Sequence, residues 1–174
     1  MDDLSLLARD VYGYDDVQAA SVGAVSFWVR PFAALGAGLI GDKVGGTRAI
    51  AACFVLMIIG DGCVAIGLLD PSEPWMLFTM VVAISAAVFG LRGIYFAIFD
   101  EAGVPAALTG TAVGLVSVVG YTPDIFMGPI NGYLTDTYPG ALGHEYFFGT
   151  LAVFAFLGLC STLAFMRISS RRSA

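Results

Sequence analysis

Hydrophobic positions in this chain do not alternate with polar ones at the spacing of a strand or of a surface helix. They come in runs at 17–41, 49–69, 75–98, 108–134 and 147–166. A helix needs about 20 apolar residues to cross the hydrocarbon core of a bilayer, and each run is of that order. The interruptions are short and polar: GDKVGGTR (41–48), DPSEP (70–74), DEAGVPAA (100–107) and TDTYPGALGHE (135–145). Connections of that length make consecutive helices antiparallel neighbours. Trp75 and the Tyr146-Phe147-Phe148 cluster stand at run edges, where aromatic rings favour the headgroup level. The pattern predicts an all-α membrane protein. It has a polar external segment at 1–16, a helical unit at 17–168 with five spans, and a tail at 169–174.

Composition sharpens this reading. Of the 174 residues, 58% are hydrophobic and 13% charged, against roughly 25% charged in soluble domains. The net charge of -6 comes from acids in the connections, so it describes loops and not a soluble acidic surface. Cys53, Cys63 and Cys160 fall inside apolar runs without metal-ligand spacing and read as small embedded side chains. The polar first 16 residues do not form the apolar core of a cleavable leader. There is no histidine–nucleophile pair and no phosphate loop. No enzyme activity, catalytic residue, metal, cofactor or nucleic-acid partner is expected.

Basic residues predict the orientation. Lys43 and Arg48 follow the first span and Arg167, Arg171 and Arg172 the last, while Arg9 lies on the opposite side. Positive charge marks the cytoplasmic side, so the C-terminus is expected inside the cell and the N-terminus outside.

The stretch GLIGDKVGGTR (38–48) resembles the Gly-x-x-x-Asp-basic-x-Gly signature of the major facilitator superfamily, through Gly38, Asp42, Lys43 and Gly45. Gly46 and Thr47 replace the signature's second basic pair, and Arg48 comes one place later. A plain helix-ending glycine turn is the alternative. The stretch 92–140 looks like the tenth and eleventh helices of bacterial nitrate/nitrite-porter-like members. This resemblance implies that the five spans correspond to helices eight to twelve of a twelve-helix major-facilitator fold, in an inner membrane. The N-terminal half would then be a missing partner. It also implies cytoplasmic gating by Gly38, Asp42, Lys43, Gly45 and Arg48.

An internal repeat points the same way. A shift of 94 positions lays Gly38 on Gly132, Asp42 on Asp136 and Gly46 on Gly140. It also lays Arg30 on Asp124. Each lies 12 residues before its aspartate, about 18 Å along a helix, near the middle of a core about 30 Å thick.

Four strongly charged residues lie inside the runs: Arg30, Asp61, Arg92 and Asp124. Each costs about 2.5–3.5 kcal/mol at a helix centre on the insertion scale, so an intramembrane ion site is the default expectation. Ser117, Tyr121, Asp124, Gly128 and Asn131 recur at helical spacing and share one face. That stripe lines either a solute cavity or a helix–helix seam. Ser85, Phe89, Tyr95 and Phe96 lie near Arg92, a setting that suits a bound anion. A guanidinium offers five donors to an oxyanion or carboxylate; a structural ion pair or snorkelling to the headgroups is the alternative for Arg92. The expected substrate-binding set is Arg30, Arg92, Tyr95, Tyr121, Asp124 and Asn131. Asp124 is expected to couple protons to transport, because its protonation would release Arg30 or Arg92 for an anion. Asp61 is expected in a structural ion pair and His144 in solvent. Together these features describe part of a secondary transporter, a symporter or antiporter, that moves a small anionic solute across a lipid bilayer by alternating access. The rival is a non-transporting truncated remnant or scaffold subunit.

Overall fold

The structure, a computed structural model, describes residues 2–172. All regular structure in them is helical: α1 (Asp2–Tyr12), α2 (Asp16–Val44), α3 (Gly46–Ala65), α4 (Pro74–Ile94), a 3-10 turn (Tyr95–Ala97), α5 (Ile98–Glu101), α6 (Ala106–Thr137) and α7 (Ala141–Arg172). Five helices are long and apolar enough to span a membrane: α2, α3, α4 with its 3-10 extension, α6 and α7.

Local chemistry sets the boundaries. Asp15 caps α2 by accepting from the Gln18 amide at 2.7 Å, while the Gln18 side chain accepts from the Asp15 amide at 3.2 Å. This reciprocal pair satisfies two donors that a helix start leaves open. At the other end, Gly45 takes φ +98°, a conformation that side chains strain. The break between α2 and α3 is therefore this one residue, much shorter than the polar stretch 41–48 suggests. Pro74 opens α4, where a missing N–H costs nothing. Pro31 lies inside α2 and Pro123 and Pro129 inside α6, yet both helices continue through them.

α4 is the most buried of the five spans. α2 lies along one flank of it, α3 along another, and α7 packs on the far side of α3, with α6 beside α7. Small residues let the backbones approach, as is common between membrane helices. A Cβ on Gly93 would stand 3.1 Å from the Ala34 Cα, and one on Gly90 3.3 Å from the Ala37 Cβ. Ser26 of α2 and Ser85 of α4 share a buried hydrogen bond of 2.7 Å. By contrast, α2 and α6 present rows of exposed apolar side chains, among them Phe27, Phe32, Leu115 and Ile125.

Two segments differ from the sequence expectation. The stretch 1–16 is not simply a polar lead-in, because α1 is an amphipathic helix within it. Leu4, Leu7 and Ala8, at i, i+3 and i+4, are buried in a cluster with Val22, Val64, Leu77 and Phe147. Three apolar positions at helical spacing dock this short helix, and Asp3 and Asp10 add polar contacts to Asn131 and His144. The connection 135–145 is mostly helical, since α6 runs to Thr137 and α7 starts at Ala141. Of the tail expected at 169–174, positions 169–172 continue α7 and 173–174 lie outside the described residues.

Candidate functional site

Asp124 and Tyr121 are one turn apart on α6, and Arg92 stands near the end of α4. The Arg92 Nη2 lies 3.4 Å from both Asp124 carboxylate oxygens. Its guanidinium carbon is 5.7 Å from the centre of the Tyr121 ring. One turn back along α4, Phe89 carries the other intramembrane arginine: the Arg30 guanidinium carbon sits 5.5 Å from that ring's centre. Two cations and one anion are thus gathered around α4, with aromatic faces under both guanidinium groups. Ring quadrupoles attract cations in this arrangement.

The group is not sealed. The Arg92 and Asp124 side chains are 47% and 60% exposed, and Arg30 is exposed as well. A contact of 3.4 Å is long for a charge-assisted hydrogen bond, which normally spans about 2.7–2.9 Å. Arg92 therefore holds Asp124 loosely, through one nitrogen, and its other donors meet no acceptor among the described residues. Charges on an open face at this height are costly against lipid tails. The face suits water, a polar solute or further helices.

The other expected substrate residues lie elsewhere. Tyr95 is in the 3-10 turn, stacked on Phe96 at 3.9 Å between ring centres, and packs against the Ala49, Ile50 and Ile94 cluster. Asn131 is buried, and its Nδ2 donates to the Asp3 carboxylate of α1. Of the two arginines that could pair with Asp124, Arg92 is the one that meets it among the described residues. Two apolar hollows of about 470 and 310 Å³, lined in part by Val25, Phe32 and Ala86, contain none of the charged residues.

Around the glycine turn, Asp42 and Lys43 are exposed, Gly38 is half-buried, and Arg48 Nη1 donates to the Val44 carbonyl at 3.4 Å. The organising residue here is Glu101, which sequence reasoning missed. Its Oε1 accepts from the Thr47 amide at 3.0 Å, and its Oε2 accepts from the Thr47 hydroxyl. A carboxylate at the positive end of α3 satisfies an open donor and complements the dipole. The acid was visible in the loop, but nothing in the sequence said which helix start it would reach.

Two further expectations are overturned. His144 is not solvated: it is 1% exposed, and its Nε2 donates to Asp10 Oδ2 at 3.1 Å. Burial alone would raise the Asp10 carboxyl, but the His144 hydrogen bond and the Arg9 contact outweigh it and hold the group below its ordinary value. Asp61 has no ion pair among the described residues. Both its oxygens are buried without a partner among the described residues.

Comparison with known proteins agrees with the membrane reading. The chain is similar to the inner membrane protein YihN of Escherichia coli K12, at 32% identity over 139 residues, which cover 78% of this chain and 33% of that protein. It is also similar to the inner membrane protein YqcE of the same organism, at 30% identity over 128 residues, which cover 74% of this chain and 30% of that protein. The chain thus spans about a third of the length of the curated relatives it matches. No family model matches the chain. No solved structure matches it. Five membrane-length helices and two relatives named for the inner membrane describe a helical membrane protein.

Proposed function

We propose that this chain forms part of a secondary active transporter, of major-facilitator type, that moves a small anionic solute by alternating access. The observation that carries this reading is the loose Arg92–Asp124 pair on an open face, with Arg30 beside it on Phe89. A structural ion pair inside a membrane bundle would be expected to be short and enclosed. This one is long, exposed and leaves donors of Arg92 unengaged, which suits a cation that exchanges its partner. In the proposed cycle, a proton on Asp124 neutralises the competitor, and the Arg92 guanidinium then takes the carboxylate or oxyanion of the solute. Tyr121 flanks the same guanidinium and limits the size of what binds.

Alternating access needs a second set of helices to rock against. The exposed apolar surfaces of α2 and α6 suit that contact, and relatives more than twice as long have chain enough to supply it. The glycine turn at Gly45, with Asp42 and Lys43 on one side and the Glu101 cap on the other, is the proposed gate. By the positive-inside argument it faces the cytoplasm, with the C-terminus on the same side and the N-terminus outside.

Uptake of a panel of labelled small anions into membrane vesicles carrying the complete protein tests this reading. The expected outcome is accumulation of at least one anion, abolished in Arg92→Ala and partly kept in Arg92→Lys. If no anion accumulates, or if uptake ignores Arg92, the charged face is a docking surface and the chain is a scaffold.

A further inference from the structure

Asp61 sits one turn before the end of α3 and is 1% exposed. Neither carboxylate oxygen has a hydrogen-bond partner among the described residues. Gly60 and Val64 accompany it on the buried side of α3. Gly60 brings α3 close to α4, since a Cβ there would stand 2.7 Å from the Ile84 side chain. Val64 belongs to the apolar cluster that α1, α4 and α7 build together. The carboxyl therefore lies in a dry joint, and α1 covers the end of the bundle nearest to it.

Among the described residues, no charged group of the surrounding helices answers Asp61. On α4 the charged residue is Arg92, which is engaged with Asp124. On α7, His144 is held by Asp10, Glu145 is in the first turns, and Arg167 lies at the far end. The charged residues of α2 are Asp16, Arg30, Asp42 and Lys43. Those of α1 include Asp3, Arg9 and Asp10, and Glu101 of α5 caps Thr47. None forms an ion pair with Asp61 among the described residues. The last turn of α3 has no basic residue, so the negative end of its dipole faces the carboxyl uncompensated. A bare carboxylate in such a place is far costlier than the neutral acid.

We propose that Asp61 is a proton-binding site of this bundle, separate from the Arg92–Asp124 pair, which holds its proton in the conformation seen here and releases it when the joint under α1 opens. The release step rests on the transporter reading above. In it the acid O–H bond breaks, the proton passes to water entering the joint, and the carboxylate left behind is hydrated until a proton returns and the joint closes.

Infrared difference spectroscopy of the protein in lipid at neutral pH tests the protonation. The expected result is a protonated-carboxyl C=O band in the native protein, absent from Asp61→Asn and restored at a shifted frequency in Asp61→Glu. Superimposable native and Asp61→Asn spectra in that region overturn the proposal. If Asp61→Asn fails to insert, a lipid-soluble carbodiimide applied to the native protein provides a second reading. Modification of Asp61 at neutral pH is expected, and a carboxyl unmodified even in acid overturns the proposal. In vesicles, Asp61→Asn is expected to bind anion but to lose the part of the acid dependence of uptake that Asp124 does not supply; acid dependence identical to that of the native protein overturns the release step. The infrared result does not depend on uptake, so failure of the transporter reading and failure of this one are distinguishable.

Discussion

Arg92 on α4 and Asp124 on α6 meet through one nitrogen, Nη2, which lies 3.4 Å from both carboxylate oxygens. The backbones of these two helices otherwise stay largely apart, so the pair bridges a gap and does not staple a packed seam. A bridge of this kind opens without disturbing the core, because Phe89, one turn from Arg92, is buried independently of it.

Breaking the pair should therefore cost little stability and change binding. Exposed ion pairs contribute about 0–1 kcal/mol, so Asp124→Asn is expected to shift unfolding by no more than that. The same substitution frees Arg92 and is expected to tighten anion binding, whereas Arg92→Ala abolishes it. Thermal unfolding in detergent and calorimetric titration with whichever anion the vesicle panel identifies measure the two effects. A loss of several kcal/mol in Asp124→Asn would mark the pair as structural.

The α2–α4 contact should respond to side-chain size at one glycine. A Cβ on Gly93 meets the Ala34 Cα at 3.1 Å and the Ala34 carbonyl oxygen at 3.4 Å, and backbone has little room to give. Gly93→Leu is expected to destabilise the bundle by about 1–3 kcal/mol or more, as over-packing does. Gly62→Ala serves as the control, since nothing lies within 4 Å of its Cβ position. It should be neutral or stabilising by up to about 1 kcal/mol through helix propensity. Unfolding midpoints of the two variants decide the matter.

Much of this architecture was legible before any coordinate. Runs of about 20 apolar residues leave a chain few choices in a bilayer, and all five became helices. Helix ends were less legible, because polar residues such as Asp42 or His144 continue a helix once its hydrogen bonds are in place. α1 was hidden because its apolar positions, Leu4, Leu7 and Ala8 among them, form too short a run to stand out beside the membrane-length ones, yet they dock the helix. The charged residues were visible as a set, but their partners were not. Position along a helix gives height in the membrane and not direction around the axis. The repeat therefore put Arg30 and Asp124 at one depth but could not show that α4 brings Arg92 to Asp124. Asp61 illustrates the converse, since an expected ion pair turned out to be a carboxyl with no partner among the described residues.

At the glycine turn, Gly46 and Glu101 should act as one unit. A Cβ on Gly46 would stand 2.8 Å from the Ala97 Cβ and 3.2 Å from Glu101 Oε1, so Gly46→Ala pushes the capping carboxylate off Thr47. Loss of a helix cap costs about 0.5–2 kcal/mol, which is the expected effect of Glu101→Ala. Because both changes remove the same cap, the double variant should be less destabilised than the sum of the singles. A double-mutant cycle on thermal unfolding measures this. Strict additivity would show that Glu101 does not hold the turn.

The Asp10–His144 contact ties α1 to α7 at 3.1 Å and predicts an acid limit for α1 docking. Burial opposes ionisation of Asp10, but the hydrogen bonds from His144 and Arg9 prevail and leave its carboxyl below the ordinary 3.8. A carboxyl lowered on folding contributes stability that is complete above its unfolded value and fades as pH falls through its folded value. The contribution of Asp10 should thus be intact at neutral pH and disappear in strong acid, below the ordinary aspartate range. Asp10→Asn is expected to lose it at neutral pH and to match the native protein in acid. His144→Ala leaves the Asp10 carboxylate without its buried donor and should cost about 1–3 kcal/mol. Amide hydrogen exchange along α1, followed against pH, reads the docking directly. Exchange in Asp10→Asn that stays as slow as in the native protein at neutral pH would show that Leu4 and Leu7 hold α1 unaided.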